Sequence, residues 1–410
     1  MINSTYPIWT DINEVPAQYP WLDRDVICDV CVVGGGITGA LCALRLAQSG
    51  IDTVLITENR IGSGATASTM PCVEYDFGHT IHSLKKRMDE ESAAEFIKMG
   101  ADALSELSHL VETLDGDCGF TLRDSMIFTD DASELSLLNN EFMARRKAGF
   151  DCSYISRSSA RDVFSFDIAG AIVSKGLAAE LDPYRLAHMC AQRATEIGAR
   201  IFENTKAEMI ECDDGILIET STRRLISAKK AVIAGGDSCS QIFESQTTAK
   251  TGFMVATEPV EKMVGWPGRC VIRTWGNPTV TVAASPDNRI CAGGLTTAAV
   301  DEEGRLYGII PIHKLCNRRF QELEEMPCYL FPETDINGFE FACISKYSET
   351  YDRLPIIGQS SRSPDCFFAL CPAPNAALMS VIAASLITRL CSGEYADEYE
   401  LFSPDRKSLK

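Results

Sequence analysis

Histidine is scarce in this chain, with five in 410 residues. His79 and His82 flank Thr80-Ile81 and the others stand alone, so no metal site is expected. Basic charge is also short: 38 Lys and Arg face 57 Asp and Glu, a net charge of −19. That balance argues against nucleic acid or an anionic membrane as the main partner. No run of about 20 apolar residues occurs, so no transmembrane helix is expected. The nearest stretch, Leu378 to Leu390, is too short and carries Arg389. The opening MINSTYPIWTDINEVPAQYP has neither a basic start nor an apolar core, and no secretory signal is expected. G-x-S-x-G elbow, P-loop lysine, internal repeat and low-complexity tract are all missing.

What is present is a sequence with 45% hydrophobic residues. At roughly 150 residues per domain its length suggests two or three units. Seventeen cysteines are scattered and odd in number, which points to reduced thiols and a cytoplasmic protein. Cys28 and Cys31 form a C-x-x-C on an apolar, strand-like run, where residues three apart face opposite ways. They read as buried small hydrophobes rather than a metal or redox pair.

The strongest local signal is VCVVGGGITGALCALRLAQSGIDTVLITE. Asp29 to Val33 reads as a buried strand, ALCALRLAQSG as a helix closed by Gly50, and Asp52 to Thr57 as a second strand ending at Glu58. Gly34, Gly36 and Gly39 keep G-x-G-x-x-G spacing, with Gly35, Ile37 and Thr38 between them. Gly34 permits the tight turn, Gly36 lets the backbone approach a pyrophosphate, and Gly39 allows close helix–strand packing. The helix N-terminus presents N–H groups and a positive dipole end to phosphate. Glu58 stands at the end of the second strand, where a carboxylate accepts ribose hydroxyls. Strand, turn, helix, strand and acid in this order define a dinucleotide site.

Further helices are expected over about Asp89 to Leu114, over LSLLNNEFMARRKAGF and over Ala187 to Gly198. Short strands follow in RIFENTKAEMIEC, GILIETS, RRLISA and KKAVIAGG, and Thr251 to Leu295 is strand-rich. One set of segments suits an α/β core; the other suits a second, more antiparallel sheet.

After the acid, no further βα unit follows, and the chain passes into GSGATASTMP. Here it resembles the FAD-dependent amine and amino-acid oxidoreductases of the D-amino-acid oxidase, glycine oxidase and sarcosine oxidase superfamily. AAELDPYRLAHMCAQRATEIGARIF, KKAVIAGGDSC, VATEPV, SPDNRICAGGLTT and YDRLPIIG continue the resemblance in the family's order, through most of the chain. It implies a mixed α/β (α+β) fold. A Rossmann-like FAD-binding domain would take residues 1–85, 180–245 and 343–410, and a largely antiparallel substrate domain 86–179 and 246–342. The resemblance also implies FAD contacts at Glu58, Asn59 and Arg60, and along the loop Gly64, Ala65, Thr66, Ala67, Ser68 and Thr69. Ala207, then Ala234, Gly235 and Gly236, then Arg353, Leu354 and Ile356 complete the implied contacts. The loop has neither His nor Cys, with Cys72 just beyond it, so a non-covalent FAD is expected.

The activity implied is oxidation of a small amine or N-substituted amino acid to an imine, by hydride transfer to flavin. The alternative is an FAD-binding member of the fold that does no turnover and serves as a partner subunit or sensor. A small-molecule substrate is the expected partner. Relatives hold a substrate carboxylate with an Arg a few residues before D-G-L-P, because its planar fork matches that group. Here Tyr347 takes that position, and Lys346 beside it would face the other way. Arg273 and His79 are further pocket candidates, each with a plainer reading as a structural or loop residue. Arg353 replaces the motif's glycine.

Near the end, CFFALCPAPNAALMSVIAASL runs from strand into helix. In relatives this helix points its N-terminus at the flavin's pyrimidine edge. Asn375 is expected to N-cap the helix that starts with Ala376 and Ala377. Pro372 and Pro374 stand where relatives have glycine, so a stiffer loop and an altered pocket are expected.

Overall fold

Helices and hairpins cover both faces of the strand Val26–Val33, which explains its nearly continuous apolar run. In the computed structural model, residues 7–211, 215–236, 242–276, 278–298, 314–361, 363–372, 375–396 and 398–409 are described. Pro374 lies outside them. Val26–Val33 is central to a sheet in the order Ile356–Ser360, Ser363–Leu370, Leu225–Ile233, Val26–Val33, Thr53–Ile56, Arg200–Phe202. From Ser363–Leu370 onward its neighbours pair in parallel. A hairpin of Ala207–Glu211 and Ile216–Thr220 adds to the start of Leu225–Ile233.

The helix Ile37–Gln48 follows the first strand, and Gly50 ends it in a left-handed conformation, φ 74°. This helix packs with Glu90–Glu112, Pro183–Glu196 and Ala376–Cys391 in one core that includes Leu41, Leu44, Phe96, Leu107, Leu186 and Val381. Glu90–Glu112 thus joins the first core, although it falls in the stretch 86–179 assigned by sequence to the second unit. The reason is its apolar stripe, Phe96, Ile97, Leu104 and Leu107, all buried at helical spacing.

Among the described residues the second sheet has nine strands. Eight run in the order Phe339–Thr350, Thr247–Thr257, Ile290–Ala298, Val280–Ala284, Val271–Thr274, Thr121–Thr129, Gly170–Glu180, Cys72–Glu74, and Cys152–Ser156 pairs with Gly170–Glu180. All pairs are antiparallel except Val271–Thr274 with Thr121–Thr129. An aromatic core lies beneath it, with Trp266 stacked on Phe331 at 4.4 Å between ring centroids. The expected boundary at residue 343 falls inside the strand Phe339–Thr350.

Cys28 and Cys31 correct a sequence expectation. The N–H groups of Asp29 and Val30 both donate to the Asp52 carbonyl, at 2.9 and 3.1 Å. The alternation shifts between Cys28 and Val30 while the strand stays in register with its neighbours, so both thiols enter the same apolar cluster instead of opposite faces. Both are free and buried. Among the described residues no helix is long and apolar enough to cross a membrane, and no group of three or more His, Cys, Asp or Glu could hold a metal ion.

The C-terminal segment is fastened to the loop that returns from the second sheet. Arg406 grips Asp352 with two bonds, at 2.7 and 2.9 Å, and donates to the carbonyls of Leu354, Pro355 and Phe402. Ser408 adds a third donor to Asp352 at 2.6 Å. Leu354 and Ile356 are buried beside this clamp. Arg353 sits in the left-handed region, φ 63°, which explains why a glycine suits this position in the resembled motif. Removing only the cation strands a buried carboxylate. R406M is therefore expected to cost about 3–5 kcal/mol in chemical denaturation, and D352L/R406M less than R406M alone.

Candidate cofactor and substrate site

The glycine turn is built by close backbone approach. Gly34 has φ 125°, and a Cβ there would lie 2.5 Å from the Ala234 carbonyl oxygen. A Cβ on Gly39 would fall 1.8 Å from the Gly34 carbonyl oxygen. Gly36 precedes the helix Ile37–Gln48 and gives it no side-chain cap. The Ile37 N–H donates instead to Thr66 Oγ1 at 3.1 Å, joining the turn to the short helix Gly64–Ser68.

This turn opens into a cavity of about 890 Å³, at the upper end of the roughly 300–1,000 Å³ typical of ligand sites. Gly34, Gly35, Gly36, Ile37 and Thr38 line it, as do Glu58, Asn59 and Arg60. Gly64, Ala65, Thr66, Ser68 and Thr69 also line it, together with Ala207, Ala234, Gly235 and Gly236 and with Asn375, Ala376 and Ala377. Segments far apart in sequence thus meet where the dinucleotide motif lies. Gly39 and Ala67 do not line the cavity; they pack behind the turn and the loop, both buried. Arg353, Leu354 and Ile356 also stay outside it: Leu354 belongs to the Asp352 clamp, Ile356 is buried in a strand paired with Ser363–Leu370, and Arg353 is half exposed near Glu349.

These features fit a bound dinucleotide. Amides face the cavity at a helix start, and side chains are excluded where a phosphate must approach. Glu58 meets Lys206 at 3.2 Å beside the cavity. Lys206 was not singled out by its sequence, since a lone lysine between two strands carries no spacing signal.

The opposite wall comes from the second sheet. Met70, Cys72, Phe320 and residues Ala342, Cys343, Ile344, Ser345 and Lys346 line it. Among the described lining residues, Lys346 is the one charged group from this sheet's strands. Tyr347 is buried and off the cavity; its ring packs over the position where Gly252 lacks a side chain. Burial pushes its phenol up to about 12. Sequence alternation placed these two neighbours the other way round.

Arg273 and His79 are also elsewhere. Arg273 is buried in a charge cluster, donating to both oxygens of Asp76 and to Glu74. Arg145 reaches Asp76 at 2.8 Å, Glu141 at 2.8 Å and the Tyr75 hydroxyl at 2.5 Å. Burial alone would raise the Asp76 carboxyl, but Arg273 and Arg145 outweigh it and hold the group at about 2. Burial dominates at Glu74, whose carboxyl is raised despite Arg273. His79 sits against this cluster; burial pushes its imidazole down to about 4.

Asn375 does not cap its helix. Its backbone is left-handed, φ 68°, and its Oδ1 accepts from the Glu74 N–H at 2.7 Å. The first turn of Ala376–Cys391 therefore reaches the cavity without that side-chain cap.

A fold of this kind, with a glycine turn facing a second sheet, defines a two-sheet dinucleotide-binding protein. Residues 29–390 match the family described as FAD dependent oxidoreductase, and the chain belongs to that family, with FAD as its cofactor. Among solved structures, glycine oxidase from Geobacillus kaustophilus superposes with a TM-score of 0.76 at 18% identity, covering 93% of this chain and 99% of that one. L-amino acid deaminase from Proteus vulgaris superposes at 0.75 with 16% identity, covering 96% and 100%. Gamma-glutamylputrescine oxidoreductase of Escherichia coli (strain K12) is 24% identical over 225 residues, 53% of this chain and 51% of that protein. The chain spans about half the length of the curated relatives it matches.

His188, fully buried on the helix behind the cavity, gives a pH signature. Burial pushes its imidazole down to about 4, with the Ile61 backbone opposing only in part. The unfolded chain takes up this proton near pH 6.5 and the folded chain only near 4. Stability from this group is therefore flat above about pH 6.5 and falls as pH drops toward about 4. Thermal melts across that window should show a shallower slope for H188L; an unchanged slope would contradict the assignment.

Proposed function

We propose that this protein oxidises a small amine or N-substituted amino acid to an imine, which water then hydrolyses. The observation that carries the reading is the two-sided cavity: the glycine turn forms one wall, and a strand bearing a single lysine forms the other. Bound FAD supplies the two-electron acceptor, so the protein's tasks are binding, orientation and exclusion of water.

In this reading the amides of Gly35, Gly36 and Thr38 would hold the pyrophosphate, the Ile37 N–H being already given to Thr66, and Glu58 would accept from the ribose. The loop Gly64, Ala65, Thr66, Ser68 and Thr69 and the helix start at Asn375, Ala376 and Ala377 would hold the ring system. A positive helix end favours the negative charge that builds up on reduction. Lys346 takes the substrate carboxylate as a point charge, a role that sequence position alone had offered to Tyr347 or Arg273. Arg273 already neutralises Asp76 and Glu74.

The cofactor is held without a covalent bond. Cys72, Cys343 and Cys371 line the cavity, and burial pushes all three thiols up, Cys343 and Cys371 to about 12. A thiol in that state supplies little nucleophilic thiolate. The two sheets divide the work between cofactor and substrate.

Anaerobic mixing of the FAD-loaded protein with a panel of amines, amino acids and N-substituted amino acids tests this reading. At least one amine donor should bleach the flavin. K346M should raise KM for a carboxylate-bearing donor about tenfold or more, with little change for an amine that lacks the carboxylate. Bleaching by no donor would favour a non-catalytic partner or sensor.

A further inference from the structure

Two helix starts meet in the cofactor cavity, and they are cross-linked. Thr38, in the first turn of Ile37–Gln48, shares a hydrogen bond with Ser380 at 2.8 Å. Ser380 in turn donates to the Ala376 carbonyl at 2.6 Å, within the first turn of Ala376–Cys391. Those bonds fix one side of the last helix.

Asn375 fixes the other side. Its acceptor goes to the Glu74 backbone, 301 residues away in sequence. Glu74 lies on the short strand paired with Gly170–Glu180 in the nine-stranded sheet. The Glu74 carboxylate is held by Ser125 Oγ at 2.8 Å and by Arg273 Nη1 at 3.3 Å. An asparagine before a helix ordinarily turns its oxygen onto the helix's own N–H groups. Here a left-handed backbone turns it onto the second sheet.

We propose that Asn375 is a positioning residue for the flavin: it pins the helix start against the second sheet and leaves the first-turn amides uncapped toward the cavity. This inference rests on the FAD reading above. Reduction makes the ring more negative, so a pinned, uncapped helix start favours the reduced cofactor over the oxidised one. A purely structural fastener would affect both forms alike and leave the reduction potential unchanged.

The test uses the FAD-loaded full chain and two variants. N375G keeps the left-handed backbone but removes the amide. Hydrogen exchange at the Glu74 amide should speed up about tenfold or more. The preference for reduced over oxidised FAD should fall about tenfold, a midpoint lowered by about 30 mV for a two-electron couple. N375D keeps an acceptor for Glu74 but sets a negative charge at the helix start. Its Glu74 amide should stay protected while the added charge lowers the midpoint, which reports that the helix start faces the flavin even where N375G fails to fold. An unchanged midpoint in a variant that still binds FAD overturns the proposal and leaves the FAD reading standing. A wild-type protein that takes up no FAD overturns that reading as well.

Discussion

At Gly34 the backbone leaves no room for any other residue. Its left-handed φ brings it under the Ala234 carbonyl, while its own carbonyl sits where a Cβ on Gly39 would be. Strand, turn and helix can close only with hydrogen at these positions. That closure aims the helix Ile37–Gln48 into the cavity. It also sets the spacing between Val26–Val33 and Leu225–Ile233, on which the remaining parallel strands are laid down. The walls from the small-residue loop and the last helix are then placed by contacts made to this helix, at Thr66 and Ser380.

A second constraint lies on the second sheet and its flanking helix. Glu74, Asp76, Glu141, Arg145 and Arg273 are almost completely buried, and each charge has an opposite partner. Such a cluster is weak as a source of net stability but demanding in geometry, because an unpaired member would be buried as a bare charge. It couples the segment after the cofactor loop to the strand Val271–Thr274 and to the helix Leu135–Lys147. Through the Glu74 backbone it extends to Asn375. The cavity is thus framed by backbone closure on one side and by paired charge on the other.

The first half of this architecture is legible in the residues. Glycine spacing, the acid at the second strand's end and the small-residue loop all report local backbone requirements, and they meet at the cavity. Side-chain direction on the second sheet is much less legible. Tyr347 and Lys346 exchange their expected places, with Lys346 on the cavity and the Tyr347 ring packed beside Gly252 of the neighbouring strand. Arg273 carries an ordinary strand sequence, and its two carboxylate partners lie nearly 200 residues upstream. A shift of face between Cys28 and Val30 reverses the alternation that separated Cys28 from Cys31. Asn375 looks like a helix cap in sequence because its competing donor, the Glu74 N–H, comes from a different sheet.

The central claim is that this cavity holds FAD without a covalent bond, between the glycine turn and the second sheet. Denaturing the purified protein and analysing what enters the supernatant tests it most directly. The purified protein should be yellow and release FAD in near-stoichiometric amount, leaving a colourless chain. A protein that is colourless as purified and does not take up added FAD would contradict it, as would a flavin that remains attached to the unfolded chain.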